Sequence, residues 1–334
     1  MTTQWNVQER KPVMVNLRTK LYQMFILGCE GGEYKTALKQ GLGGVIFFSK
    51  DIHSKEQFKE LINDIKLQSL ISPFLSIDQE GGRVERTENI HGGKKYLSAR
   101  FAFEKGENFL SEQTRQIAQE LKSYGINLNF APCIDVNTNP DNPIIGERAF
   151  SPEPDDVIKA EKIVSEIYKN NGIIPCVKHY PGHGDANADS HFTLPKIDLT
   201  LEQMEQTHIK PFKYAIKNGA QMVMAAHLHC TCFEKEPIPT SLSKNALNYL
   251  RHALGFDGVI ISDDMVMKGV ADFGQVEACV MGIKAGLNMF IYRNSDKDTI
   301  NIIESIYDLV KNDNELQGKI DISYNKIIDL KYQI

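Results

Sequence analysis

The sequence predicts an α/β chain closed into a single-domain (β/α)8 barrel of the TIM type, and three observations carry that expectation. First, three apolar runs each deliver a charged loop. Phe74-Leu75-Ser76-Ile77 enters Asp78-Gln79-Glu80, Ile173-Ile174-Pro175-Cys176-Val177 enters Lys178-His179-Tyr180-Pro181-Gly182-His183-Gly184-Asp185, and Gly258-Val259-Ile260-Ile261 enters Ser262-Asp263-Asp264. Functional groups gathered at the carboxyl ends of parallel strands are the layout of such a barrel. Second, short apolar runs alternate with amphipathic stretches along the chain, as βα units do. Third, 334 residues, 42% of them hydrophobic, suffice for one barrel and leave little for a second full domain.

Taken in order, residues 1–20 read as an N-terminal extension and 21–334 as the barrel. Strands are expected at 23–27, 44–48, 74–78, 127–131, 174–178, 222–227, 258–263 and 289–292. Helices are expected at 54–70, 111–123, 155–171, 201–217, 243–254, 275–285 and 298–311. Ser54, Ser111, Thr200 and Ser243 stand where a side-chain oxygen can accept first-turn N–H groups. Gly125, Gly172, Gly219, Gly255 and Gly286 stand where a left-handed residue ends a helix. The loop 135–153, rich in Pro and Asn, follows the fourth strand and carries Glu147 and Arg148, so it is assigned to the active face.

The formal net charge of −5, with no Lys/Arg run, removes the electrostatic reason to expect nucleic acid or an anionic membrane as partner. The first 20 residues hold no apolar stretch of signal-peptide length, and nowhere do 18 apolar residues run uninterrupted, so a cytoplasmic protein with a small-molecule ligand is expected. The six cysteines are scattered. Only Cys230 and Cys232 are close, at a spacing that fits neither a zinc knuckle nor a C-x-x-C redox pair, so free thiols are expected.

The densest chemistry lies between Lys178 and His191, with three histidines, two acids and a lysine in fourteen residues. Three readings stand side by side. A metal site could draw on His179, His183, Asp185, Asp189 and His191, although Pro181 and two glycines prevent the helix that an H-E-x-x-H site requires. A purely structural loop would satisfy its own polar groups. In the third reading Asp189 and His191, two apart in an extended loop, form an acid–base pair, the carboxylate favouring the protonated imidazole. Asp263, at the end of its strand, can then point into the barrel mouth as a nucleophile. Asp264 reads equally as a cap for loop N–H groups and as a second acid. An acid and a nucleophile together mean displacement at carbon, of which glycosyl transfer is the obvious case.

These residues carry a family resemblance. Lys178-His-Tyr-Pro-Gly-His-Gly-Asp185 with Asp189-Ser-His191 resembles the K-H-F-P-G-H-G-D…D-S-H loop of the family 3 glycoside hydrolases, in particular the single-domain β-N-acetylglucosaminidases that trim cell-wall muropeptides. Ile77 to Arg86, Asn142 to Phe150 and Phe256 to Asp264 are similar to that group's other signatures, in the same order. The resemblance covers roughly Leu21 to Arg293 and implies a retaining exo-glycosidase that needs no cofactor and no metal. It implies Asp263 as covalent nucleophile, His191 as acid/base and Asp189 as the group orienting it. It further implies that Asp78, Arg86, Arg148, Lys178 and His179 grip the sugar, a terminal GlcNAc of a muropeptide or chito-type fragment. Rival readings are a β-glycosidase of other sugar specificity, a phosphorylase in which phosphate replaces water, and a catalytically silent sugar-binding protein.

Other residues receive structural readings. Glu80 and Arg83 are expected to form ion pairs under their loop, His183 to hold the glycine-rich turn by a backbone hydrogen bond, and His227, ending its strand, to lie at the barrel mouth and support the residues that touch the substrate. Gly182, Gly184 and Ala186 are expected to leave the loop free to open and close. The chain departs from the family pattern at Ala226-His-Leu-His-Cys-Thr-Cys-Phe233 and at His208-Ile-Lys-Pro-Phe212.

Overall fold

The computed structural model describes residues 15–186 and 194–333. The chain begins with helix α1 (Leu17–Gln23) and proceeds through β1 (Phe25–Glu30), α2 (Tyr34–Gln40), β2 (Gly44–Phe47), α3 (Lys55–Gln68), β3 (Phe74–Ile77), α4 (Ala99–Glu104), α5 (Glu107–Tyr124) and β4 (Leu128–Asn129). It continues with α6 (Pro154–Asn170), β5 (Ile174–Tyr180), β6 (Lys196–Ile197), α7 (Leu201–Gln206), α8 (Ile209–Lys217), β7 (Met222–Ala225), β8 (His229–Cys230), α9 (Lys244–Asn248), β9 (Val259–Asp264), α10 (Lys268–Ala271), α11 (Gln275–Ala285), β10 (Met289–Asn294), α12 (Lys297–Val310) and α13 (Asn314–Lys331). Eight strands close into a barrel in the order β1-β10-β9-β7-β5-β4-β3-β2. All of its pairings are parallel, so every carboxyl end opens on one face.

Each barrel strand overlaps one expected from the sequence, because a parallel strand covered on both sides is a short, nearly continuous apolar run. The β1–β10 seam that closes the barrel is set by burial of Phe25 against Phe290, whose ring centroids lie 5.4 Å apart. Each such buried side chain contributes about 1.5–3 kcal/mol. The fourth strand is shorter than expected. Asn127 and Asn129 turn their side chains to the backbone of β3, accepting from Leu75 N at 2.8 Å and Gln79 N at 2.9 Å, and these bonds extend the ladder beyond the two paired residues.

Helix boundaries depart from expectation where local chemistry intervenes. The stretch 201–217 is two helices, because Pro211 has no N–H to donate to the carbonyl of Thr207. The stretch 111–123 starts earlier, at Glu107 after Gly106, so Ser111 is not a cap, whereas Ser54, Thr200 and Ser243 each accept a first-turn N–H. The chain at 249–253 widens into a π turn after α9. Gly125 and Gly286 end α5 and α11 at φ +89° and +112°. Helix α1 includes residue 20, packs against α12 and α13, and ties Lys20 to Asp321 at 2.8 Å. β6 and β8 form a separate parallel pair, Lys196 opposite His229, which two-residue strands give no periodicity to foresee. All six cysteines are unpaired. Among the described residues no helix is long and apolar enough to cross a membrane.

Candidate active site

The carboxyl ends of the strands surround a cavity of about 270 Å³ lined by Asp78, Arg86, Arg148, Lys178, His179 and Asp263, together with Ile46, Phe48, Val84, Ile144, His183, Met224, Met267, Ile291, Asp264 and Arg293. Six of the eight residues singled out from the sequence therefore meet in one place. The other two, Asp189 and His191, lie outside the described residues. The supporting elements are spread around the barrel. Asp78 follows β3, Lys178 and His179 end β5, Asp263 and Asp264 end β9, and Arg293 ends β10. Arg148 comes from a single 3-10 turn, Gly146–Arg148, in the loop after β4.

Beneath the cavity lies an ion network centred on Glu80. Arg148 grips its carboxylate with Nε at 2.9 Å and Nη2 at 2.8 Å, and Lys178 Nζ stands 2.6 Å from it and 2.7 Å from Asp78. Burial by itself would raise the Glu80 carboxyl, but Arg148 and Lys178 outweigh it and hold that group well below the usual carboxylate range. The same pairing, set against a burial that opposes the charge, raises Arg148 and Lys178 above their ordinary values. Glu80 is thus paired, but not with Arg83. Arg83 lies exposed on the surface and donates to the carbonyls of Pro143 and Ile144, strapping one active-face loop to another. The geometry of its loop points its guanidinium outward while Arg86, three residues on, faces the cavity over the Phe48 ring at 5.6 Å. The Arg86 side chain has no carboxylate partner among the described residues.

A second network stands on Asp135, a residue the sequence reading passed over. Its buried carboxylate accepts Nδ1–H of His179 at 2.7 Å, the backbone N–H of His179 at 3.2 Å and that of His183 at 2.6 Å, while Cys133 Sγ lies 3.2 Å away. Burial would raise Asp135, and the neighbouring His179 more than offsets it, so the carboxyl stays ionised far into acid. The signal available in the sequence was a lone acid inside an apolar run, Ile134-Asp135-Val136, at the start of the loop after β4. Cys133, Asp135 and His179 hold their ligand-type atoms within 4.8 Å of one another, a set a metal could address, yet Asp135 already binds the other two by hydrogen bonds. Asp185, another of the metal-type residues, accepts from Thr138 Oγ1 instead.

With Nδ1 committed to Asp135, His179 turns Nε2 toward Arg148 Nη2 at 3.4 Å. The glycine-rich turn after it is closely packed rather than loose. A Cβ on Gly182 would lie 2.6 Å from that of His208, and one on Gly184 would lie 1.7 Å from the carbonyl oxygen of Val136. These glycines are required by close approach, which corrects the expectation that they loosen the loop over 182–186. His183 does bond the turn through its backbone N–H, as read, but its imidazole also lines the cavity.

Asp263 accepts the N–H of Asp264 at 2.7 Å on Oδ1. Burial would raise it, but the His179 and His227 imidazoles and Lys178 lower it, so it stands as a carboxylate facing the cavity. Asp264 is spent differently. It pairs with the Arg293 guanidinium and accepts Val266 N–H at 3.1 Å, and burial raises its carboxyl despite that cation. His227 braces the same turn, with Nε2 3.1 Å from the Asp264 carbonyl and Nδ1 2.7 Å from Ser241 Oγ. Among the described residues the cavity thus offers one carboxylate and one arginine with no counterion in contact, set among donors and acceptors already fixed by ion pairs. Such a site can hold a polyhydroxylated ring and attack it at one carbon.

Residues 16–330 match the description Glycosyl hydrolase family 3 N terminal domain. Beta-hexosaminidase A of Pseudoalteromonas piscicida is 32% identical over 270 residues, covering 74% of this chain and 45% of that protein. The Beta-hexosaminidase of Idiomarina loihiensis is 32% identical over 275 residues, covering 79% of this chain and 80% of that protein. Among solved structures, a glycoside hydrolase family 3 β-N-acetylglucosaminidase from Paenibacillus superposes with a TM-score of 0.89 at 29% identity, over 95% of this chain and 62% of that one. This chain therefore spans less than half of the Pseudoalteromonas relative and under two thirds of the Paenibacillus protein, and most of the Idiomarina one. Its match along nearly all of the barrel makes the chain a member of glycosyl hydrolase family 3.

Proposed function

We propose that the chain is a retaining exo-β-N-acetylglucosaminidase that removes terminal GlcNAc from peptidoglycan-type or chito-type fragments, working in the cytoplasm without metal or cofactor. The observation that carries the reading is the convergence of Asp263 with Asp78, Arg86, Arg148, Lys178 and His179 on one cavity. At about 270 Å³ the cavity suits one sugar ring, below the roughly 300–1,000 Å³ of sites for larger ligands. The relatives named as hexosaminidases and the Paenibacillus enzyme named as a β-N-acetylglucosaminidase support the choice of sugar.

In this reading Asp263 attacks the anomeric carbon as the C–O bond to the leaving sugar breaks, and His191 supplies the proton to the departing oxygen. His191, oriented by Asp189, then takes a proton from water, whose oxygen displaces Asp263 and releases GlcNAc with its configuration retained. Arg148, Lys178, His179, Asp78 and Arg86 hold the ring hydroxyls, the first three at positions fixed before substrate arrives by Glu80 and Asp135, which lowers the ordering cost of the reaction.

The test is product analysis by mass spectrometry on aryl β-glycosides and GlcNAc-terminated fragments, with and without phosphate. Release of free GlcNAc supports the proposal. Preferential release of another sugar, or GlcNAc 1-phosphate formed only with phosphate, would replace it with the matching family activity. No turnover of any glycoside would overturn it.

A further inference from the structure

The charged groups around the cavity are largely committed to one another. Lys178 faces Asp78 and Glu80, Arg148 faces Glu80, Arg293 faces Asp264, and His179 Nδ1 faces Asp135. His183 is different. Its side chain is 3% exposed and lines the cavity, yet neither Nδ1 nor Nε2 has a hydrogen-bond partner among the described residues. A buried polar group left without a partner costs about 1–3 kcal/mol, so its place in a native site calls for an explanation.

The ring is also held in place. The backbone N–H of His183 donates to Asp135 at 2.6 Å, its carbonyl accepts from Asn142 Nδ2 at 2.8 Å, and its ring stands edge-on to that of His179 with centroids 6.1 Å apart. The groups facing it are thus Asp135 from the loop after β4, Arg148 from the same loop, and His179 from β5. One carboxylate against two basic groups, inside a buried setting, keeps the imidazole neutral at ordinary pH: burial pushes it down to about 4, and Asp135 only partly offsets this. A neutral imidazole carries one N–H donor and one lone-pair acceptor. That combination suits a substrate group that itself both donates and accepts.

We propose that His183 is a substrate-contacting, specificity-determining residue whose imidazole hydrogen-bonds a neutral hydroxyl or amide group of the sugar held in the cavity. The inference rests on the glycosidase reading of this cavity and adds to it a residue that the sequence offered only as a structural brace of the turn or a metal ligand. Sugar binding supplies the partner that the folded chain lacks, so the contact rewards a ligand with a hydroxyl or amide at that spot and penalises one without it.

The test compares the wild type with His183→Phe, which keeps a ring of similar size without nitrogens, and His183→Gln, which keeps a donor and an acceptor. Steady-state kinetics with aryl N-acetyl-β-glucosaminide and aryl β-glucoside separate an amide contact from a hydroxyl contact. The Phe variant should lose roughly three- to tenfold in kcat/KM, the worth of one neutral hydrogen bond, and Gln should restore most of it. Loss on both substrates assigns the contact to a shared hydroxyl, and loss confined to the first assigns it to the acetamido group. Independently of any variant's folding, the ring 15N resonances of His183 in the wild type should be those of a neutral imidazole and should move when GlcNAc is added. A Phe variant equal to the wild type, or 15N resonances that GlcNAc leaves unmoved, would overturn the His183 assignment while the glycosidase reading stands. A wild type that cleaves no glycoside would overturn both.

Discussion

Asp135 accepts the Nδ1–H of His179 at 2.7 Å, and this one bond decides which imidazole nitrogen faces the cavity. With Nδ1 held by that carboxylate, Nε2 is the nitrogen left to face Arg148 Nη2, at 3.4 Å. A carboxylate behind a histidine in this way fixes its tautomer and its ring orientation together.

Asp135→Asn should therefore lower both activity and stability. An amide oxygen can still accept one bond, but the charge that holds three N–H groups is gone, at a cost of about 1.5–3 kcal/mol. The pH dependence follows from the sign of the shift. The folded-state carboxyl is depressed, so its contribution is complete above the unfolded-state value of about 3.9 and is lost as pH falls below that. Denaturant unfolding should show a clear gap between wild type and Asp135→Asn at pH 7 that narrows progressively below pH 4. A gap unchanged down to pH 3 would refute the depressed carboxyl.

Glu80→Gln should be among the most damaging single changes in the chain. The substitution leaves Arg148 and Lys178 buried without their shared counterion, and removing one partner of a buried ion network costs roughly 3–5 kcal/mol. Equilibrium unfolding measures the stability loss, and the affinity for GlcNAc should fall with it, because both cations lose the group that positions them. A variant as stable as the wild type would show that Glu80 does not organise this site.

The two arginines three residues apart should behave oppositely. Arg86→Ala removes a cation that faces the cavity without a carboxylate partner among the described residues and should lower kcat/KM by about 1.5–3 kcal/mol of transition-state binding. Arg83→Ala removes an exposed strap to the Pro143 and Ile144 carbonyls and should leave kcat/KM within about threefold. Equal losses would mean that the wrong arginine has been assigned to the sugar.

Asp263→Asn should abolish turnover, and a 2-fluoro or 5-fluoro glycosyl inactivator should label Asp263 and not Asp264, whose carboxylate is held by Arg293. No label on any residue, combined with tight binding of a thiazoline, would favour catalysis by the substrate's own acetamido group. His191→Ala should spare dinitrophenyl glycosides, whose leaving group departs unprotonated, far more than disaccharides. Equal losses on both would remove His191 from the acid/base role.

The barrel was legible because its signal is local. Each strand is a short apolar run, several of them following a helix-ending glycine such as Gly41, Gly125 or Gly286, and parallel pairing buries both of its faces. Asp78, Lys178, His179 and Asp263 stand at the first polar positions after such runs, or at the last within them, which places them on the active face, while the roles of the first three came from the family resemblance. The split at Thr207 was readable in principle from Pro211, whereas the two-residue pair β6–β8 carries no period at all.

The sequence by itself determined the strands, the face on which their ends gather, and which side chains that face would carry. Only the tertiary structure decided how those side chains divide the work. Glu80 reaches Arg148 across 68 residues, and Lys178 reaches Asp78 across 100, once the barrel has closed. Asp135 finds His179 because the β4 loop passes so near the glycine-rich turn that Gly184 has no room for a Cβ. Apolar periodicity is written in neighbouring residues, but the partner of a buried charge is whichever group the closed fold brings within about 3 Å of it. That is why Glu80 could be read as an ion-pairing residue from the sequence while its partners could not.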